Sequence, residues 1–388
     1  MSTRTETRLS DGRTLYYFDD APGADAPGDD APGADAPGDD APGADRGAAD
    51  RRALPPTASS SQIRWDPLFR DWAVVAGHRQ ARTYKPPDSH CPLCPSKDGR
   101  QTEIPAADYD VAVFENRFPS LSGHPGTAAA PDGPLFRSAP GVGRCEVVCF
   151  TSDHDRSFGQ LSAVRARTVI DALTDRTVEL SRIDGVEYVF CFENRGEEIG
   201  VTLSHPHGQI YAYPFVPPRI RQAVEAARVH RDRTGECLQC AVAAAERAAR
   251  ERVVAESGCW TAYVPFAARW PYEVRIVARR HVPDLAALTG DERDDLARVY
   301  LDVLGRFDRL FDAATPTPYV AGWQQAPVRA GADLWHLAVE VFTIRRAPGK
   351  LKYLAGSESG AAVWINDVAP EAAARRLRAV GGPVRRFA

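Results

Sequence analysis

Two kinds of periodicity alternate along the chain, and the whole series is played twice. Short apolar runs read as strands: Glu146-Val147-Val148-Cys149-Phe150, then Glu187-Tyr188-Val189-Phe190-Cys191-Phe192, then the run from His205 through Ile210 and Tyr211. Between the first two, Val164, Ala172, Leu173, Val178 and Leu180 keep broadly to one side of a helix over about 161–182. The same order returns later. The run Glu273-Val274-Arg275-Ile276-Val277 leads to a helix opened by the capping box Thr289-Gly290-Asp291-Glu292. That helix places Leu296, Val299, Tyr300, Val303, Phe307 and Leu310 at helical spacing, and strands over 318–323 and 336–341 follow. The pattern predicts an α+β fold of two tandem copies, each an antiparallel sheet backed by helices.

The N-terminal region follows neither copy. Residues 8–18 predict a small hairpin turning at Asp11-Gly12. A ten-residue repeat of Asp, Ala, Pro and Gly over 19–45 has nothing to bury and reads as a disordered spacer. The folded body is expected to begin near Gln62, which divides the chain into 1–61, 62–217 and 218–388. A length of 388 residues is enough for two domains.

Charge and composition narrow the partners. The net charge of −4 includes nine aspartates within 19–45; the remaining chain carries about +5. A mildly basic body suits an anionic small-molecule substrate, and no Lys/Arg cluster of the kind nucleic acid needs is present. No run approaches the ~18 apolar residues of a membrane helix, and the N-terminus has no apolar leader, so a cytoplasmic, membrane-free protein is expected.

The eight cysteines are too sparse for a disulfide framework, and four form two C-x-x-C pairs. Cys91 and Cys94 precede His154 and His205; Cys237 and Cys240 precede His281 and His336. Each Cys2His2 set offers zinc its four tetrahedral ligands, so two structural zinc ions per chain are expected. Redox pairs or plain loop cysteines are the alternative.

The stretch His205-Pro206-His207-Gly208-Gln209-Ile210 carries the remaining chemistry. Pro206 biases His205 towards an extended conformation, and period-2 geometry then puts His205, His207 and Gln209 on one side of a strand. Polar groups on one face of a buried strand are costly unless they bind something. With His205 assigned to the metal, His207 is a free imidazole next to a fixed residue, suited to nucleophilic attack on phosphorus or to general-base work. Gln209 is placed to donate its amide to a phosphoryl oxygen. In the second copy Ala338 stands where the first has His207, so one half alone has the second histidine. Arg79 and Arg82 offer two guanidinium groups for a diphosphate clamp, with ordinary surface solvation as the bland alternative.

These residues together resemble the galactose-1-phosphate uridylyltransferase family, a double-domain branch of the histidine-triad superfamily. The resemblance runs from about Arg64 to the C-terminus. It rests on the unchanged H-P-H-G-Q motif at His205–Gln209, on Arg64-Trp65-Asp66-Pro67-Leu68 with His78-Arg79-Gln80-Ala81-Arg82, and on Phe114-Glu115-Asn116-Arg117-Phe118. Phe192-Glu193-Asn194-Arg195-Gly196 and Trp270-Pro271-Tyr272-Glu273 match as well. The resemblance implies double displacement: His207 takes the uridylyl group from UDP-glucose, releasing glucose 1-phosphate, and galactose 1-phosphate collects it as UDP-galactose. It implies nucleotide contacts at Arg79, Arg82, Asn116, Phe118 and Asn194, a phosphate-side hydroxyl at Thr202, hexose contacts at Lys352 and Glu358, and a homodimer. Gln209, where histidine-triad hydrolases carry a third histidine, favours transfer over hydrolysis. The segment before Glu358 lacks the tyrosine many members place there, and Ala338 and Glu340 occupy the stretch where iron-binding members have an H-x-H pair. Related activities are a nucleotide-sugar phosphorylase or an adenylyltransferase; a non-catalytic zinc-stapled binding module is the reading of another class.

Overall fold

The computed structural model describes residues 2–21, 46–55, 59–81, 85–127, 133–311 and 316–381. Most of the expected spacer, and Arg82, lie outside them.

The chain opens on β1 (Thr3–Arg8) and β2 (Thr14–Asp19), joined by a turn in which Gly12 takes φ +89°, a left-handed value that costs glycine little. Strands β3 (Gln62–Asp66) and β4 (Asp71–Val75) belong to a small three-stranded sheet. Next come β5 (Val111–Glu115) in the main sheet, β6 (Ser138–Pro140), which completes the small one, and β7 (Arg144–Cys149). Helix α1 (Ala163–Ser181) then leads to β8 (Tyr188–Arg195) and β9 (His207–Tyr213). Ser162 sets the start of α1 by accepting from the Arg165 amide.

The second half begins with α2 (Pro218–Thr234) and α3 (Leu238–Ala249), followed by β10 (Val253–Glu256), β11 (Trp260–Tyr263) and β12 (Tyr272–Ala278). Helix α4 (Gly290–Asp308) starts on the anticipated box, with Thr289 and Glu292 capping each other's backbone. Strands β13 (Tyr319–Gln324) and β14 (Ala338–Thr343) and the short helices α5 (Gly356–Ala361) and α6 (Pro370–Gly381) close the chain.

The two antiparallel sheets meet edge to edge. Pairing of β8 with β13 joins them into eleven strands in the order β1-β2-β5-β7-β9-β8-β13-β14-β12-β11-β10. Helices α1 and α4 pack against each other and over one face, where Val148, Ile210 and Ala212 meet Val169, Ile170 and Leu173 in the main core. The hairpin differs from the expectation that the body starts near Gln62. Strand β2 pairs with β5, so Leu15 and Tyr17 are buried in a cluster with Cys91, Leu93, Tyr109 and Phe114. An unpaired edge at β5 would leave a row of backbone donors and acceptors open, and the hairpin closes it.

A buried carboxyl marks the seam between the halves. Glu193 of β8 accepts hydrogen bonds from Tyr319 Oη (2.7 Å) and Tyr300 Oη (3.3 Å) of the second half. Burial pushes its pKa up to about 7, against the opposing pull of Tyr319, Arg195 and Tyr300. The folded state therefore holds a proton that the unfolded chain releases near pH 4.5. This contribution to stability is full below that pH and is lost as pH rises through 7. Glu193→Gln should remove it: the stability of the variant relative to the parent should climb from pH 4.5 to 7, as followed by denaturant melts. A pH-independent difference would refute this.

Candidate active site and metal clusters

Strand β9 shows why its sequence alternates. His207, Gln209, Tyr211 and Tyr213 lie on a half-buried face, while Gly208, Ile210 and Ala212 are buried against the core. Gly208 has to be glycine: an added Cβ would come within 2.9 Å of the Phe150 ring and 3.0 Å of the Phe192 carbonyl. His207 and Gln209 share a face as expected, and His205, just ahead of the strand, lines the second cavity together with His207. The strand starts at His207, because Pro206 has no N–H to give to a ladder, and the His205 ring sits in a metal cluster. The second copy behaves likewise, with His336 two residues ahead of β14.

His207 has a defined tautomer. Its Nδ1 lies 2.8 Å from the His205 carbonyl oxygen, which can only accept, so Nδ1 carries the proton and Nε2 keeps its lone pair. Burial lowers the pKa of the ring, outweighing the raising effect of that hydrogen bond, and favours the neutral imidazole.

Two cavities flank this ring. One, of about 420 Å³, is bounded by His207 and Gln209 together with Arg79, Asn116, Phe118 and Thr202. The other, of about 680 Å³, takes in His207, Asn194 and again Thr202. Asn194 lies one step past the Glu193–Gly208 pair, across from His207 on the neighbouring strand. Arg79 is fixed by a hydrogen bond from Nη1 to Ser120 Oγ, and its buried Nε has no partner among the described residues. Lys352 and Glu358 line neither cavity. They pair with each other at 2.6 Å, which holds the Glu358 carboxyl at about 2, below its usual range.

Both expected metal sets converge. Within Cys91, Cys94, His154 and His205, and within Cys237, Cys240, His281 and His336, the ligand atoms lie within 4.8 Å of one another. Cys94 Sγ is 3.3 Å from His154 Nδ1 and 3.6 Å from His205 Nδ1; Cys240 Sγ is 3.4 Å from His281 Nδ1 and 3.2 Å from His336 Nδ1. Outer partners fix the rings in the same way in both copies. His205 Nε2–H donates to the Thr151 carbonyl and His336 Nε2–H to the Ala278 carbonyl, each at 2.9 Å, leaving Nδ1 for a metal. Burial depresses both imidazoles to about 4, so both are neutral. It pushes the Cys91 and Cys240 thiols up to about 11 and about 12, so a bound cation is what would make them thiolates. Tyr109, whose Oη lies 2.9 Å from His205 Nε2, had no signal in the spacing. Neither did Arg52 and Glu103, which stand in the first cavity's wall beside Arg117 of the matched segment.

Residues 43–217 match the family described as "Galactose-1-phosphate uridyl transferase, N-terminal domain", and residues 223–384 match its C-terminal domain. The chain belongs to the galactose-1-phosphate uridylyltransferase family. A galactose-1-phosphate uridylyltransferase of Streptomyces lividans is 44% identical over 97% of this chain and 98% of its own length. That of Thermotoga maritima is 38% identical over 82% of this chain and 98% of its own. A solved structure titled "Structure of uridylyltransferase" superposes with a TM-score of 0.73 at 32% identity, covering 82% of this chain and 98% of that one. Where iron-binding family members are expected to have the second histidine of an H-x-H pair, Glu340 here accepts both Nη groups of Arg219 (2.7 and 2.8 Å) and Nε2 of Gln324 (2.9 Å). No described helix is long and apolar enough to cross a membrane.

Proposed function

We propose that this nucleotidyltransferase moves a uridylyl group from UDP-glucose to galactose 1-phosphate through His207. The observation that carries the reading is the Nδ1–His205 carbonyl bond, which supports Nε2 as the attacking atom. Nε2 attacks the α-phosphorus. The bond from that phosphorus to the bridging oxygen breaks, and glucose 1-phosphate leaves with that oxygen and its electron pair. The imidazole is then cationic, and its Nδ1–H still points at the His205 carbonyl, a dipole suited to that charge. A phosphate oxygen of galactose 1-phosphate attacks the same phosphorus, the P–N bond breaks, and the electron pair returns to Nε2.

Gln209, on the same face, donates its amide to the phosphoryl oxygens as charge builds there, and Arg79, Asn194 and Thr202 complete the polar lining. Asn116 and Phe118 hold the nucleotide in the first cavity; the phosphate role of Arg82 rests on the family resemblance alone. Zinc suits both Cys2His2 clusters: Zn–S near 2.3 Å and Zn–N near 2.0–2.1 Å in a tetrahedron separate S and N by about 3.5 Å, close to the distances found. With two zinc ions per chain, the protein supplies every ligand, so the role is structural. Because Lys352 and Glu358 stand away from both cavities, and Tyr353 and Leu354 between them are exposed, a homodimer in which this segment serves the neighbouring protomer's hexose is favoured. The eight free cysteines support a reducing, cytoplasmic compartment.

Incubation with UDP-glucose alone should yield a uridylyl–protein adduct by intact mass and one equivalent of glucose 1-phosphate. No adduct from UDP-glucose, or an equal one from ADP-glucose, would overturn the reading.

A further inference from the structure

Besides His207 and Gln209 of β9, the first cavity is lined by Val147 of β7 and Phe114 of β5, and the N-terminal hairpin lies next to β5 in the same sheet. One row of paired residues crosses four strands: Leu15 of β2 faces Phe114 of β5, Phe114 faces Val147 of β7, and Val147 faces Gln209 of β9. At about 4.8 Å per strand, β2 lies ~14 Å from the strand that carries His207. That is a reach suited to running from an α-phosphorus, across a ribose, to the far edge of a base. Arg13 shares the face of Leu15, two residues before it, and the register carried past the strand end sets it against Asn116.

Arg13 is 3% exposed, and all three of its side-chain nitrogens donate within the protein. Its Nε donates to Asp11 (2.7 Å), Nη1 to the Glu115 carbonyl (2.7 Å), and Nη2 to Glu103 Oε2. It thus ties the end of β5, just before Asn116, to the loop carrying Glu103. The second Glu103 oxygen accepts from Arg52 Nη1 at 2.7 Å, while Arg52 Nε and Nη2 each donate to Asp50 at 2.8 Å. Arg52 and Glu103 both line the cavity. A guanidinium has five N–H groups and Arg52 uses three of them; a carboxylate has about four acceptor positions and Glu103 uses two. A fixed donor therefore sits beside a fixed acceptor in the wall of the cavity that also holds His207.

We propose that Arg52 and Glu103 form the edge that reads the base, Arg52 donating to a ring carbonyl and Glu103 accepting the adjacent imide N–H, with Arg13 positioning Glu103. Uracil presents that carbonyl and N–H side by side. With Arg52 on the 4-carbonyl, cytosine presents an amino group to Arg52 where uracil has that carbonyl, and a bare ring nitrogen whose lone pair meets the Glu103 carboxylate. A buried polar group left unmatched is what makes such a site selective. Arg13 precedes residues 43–217, so this edge is set partly from outside the span that matches the family's N-terminal domain.

This inference rests on the uridylyl reading, and the test separates the two. Steady-state kinetics of Arg52→Ala with UDP-glucose and CDP-glucose as donors should show KM for UDP-glucose raised about ten-fold and the UDP/CDP ratio of kcat/KM reduced at least as much. KM for galactose 1-phosphate should be unchanged. Arg13→Met, which leaves Glu103 paired with Arg52 and, at 3.9 Å, Arg117, should shift the ratio in the same direction. If Arg52→Ala does not fold, Arg52→Lys, which keeps a cation for Glu103 but loses the planar fork, carries the same comparison. An unchanged ratio in a folded variant, with both donors slowed equally, would overturn the role of the pair as base reader. Failure of the parent protein to take the uridylyl group at all would instead sink the function.

Discussion

Replacing His207 with alanine is expected to abolish the uridylyl adduct and to slow overall transfer by on the order of 10⁴-fold or more, the scale on which enzymes lose rate with their nucleophile. The two positions that most resemble His207 in placement cannot substitute for it. Gln209 shares the face of His207 but is not nucleophilic, and the corresponding position of the second half is Ala338, fully buried in a small apolar cluster with Tyr263 and Val277. The His207 ring touches no ligand atom of the first metal cluster through its own nitrogens; its Nδ1 bonds a backbone carbonyl. Metal content and melting temperature should accordingly stay near those of the parent. Intact mass after UDP-glucose, metal analysis and a thermal melt on one preparation check all three. An adduct that persists in His207→Ala would assign the nucleophile elsewhere.

The second large effect is expected from the metal clusters, and it should be unequal. Cys94→Ser and Cys240→Ser should each lose about one metal equivalent per chain by elemental analysis, since each cysteine is one of four converging ligands. Apparent binding free energies of structural zinc sites reach about 10–16 kcal/mol, so either loss should also lower the melting temperature markedly. Function separates them. His205, a ligand of the first cluster, lies two residues before His207 and fixes its tautomer through the backbone carbonyl, so Cys94→Ser should form little or no adduct. His336, a ligand of the second cluster, precedes Ala338, and Cys240→Ser should still form the adduct below its melting transition. Equal loss of adduct in both variants, or full metal in either, would contradict this division.

Much of the molecule was legible along the chain because the signals are local. Helix α4 starts on a capping box that four consecutive residues specify, and α1 differs from its expected span of 161–182 by the cap at Ser162. The C-x-x-C turns and their histidines repeat in order, so the two metal sets were readable from spacing, although their ligands come together only in the fold. The Gly208 requirement was not readable, because it depends on the Phe150 ring and the Phe192 carbonyl, which come from other strands.

The sequence by itself determined the duplicated order of elements, the face that His207 and Gln209 share, and the chemistry of the two Cys2His2 sets. Those follow from side-chain periodicity and ligand type, both written in neighbouring residues. Only the tertiary structure decided that the hairpin closes the β5 edge, that β8 joins β13, and that the strand begins at His207 with the His205 ring in the metal cluster. It also decided that Lys352 and Glu358 pair with each other away from both cavities, and that Arg13, Arg52 and Glu103 meet. The physical reason is common to these cases. Strand edges pair through backbone groups that every residue carries, and an ion pair such as Arg13–Glu103 spans ninety positions, so neither leaves a spacing to read.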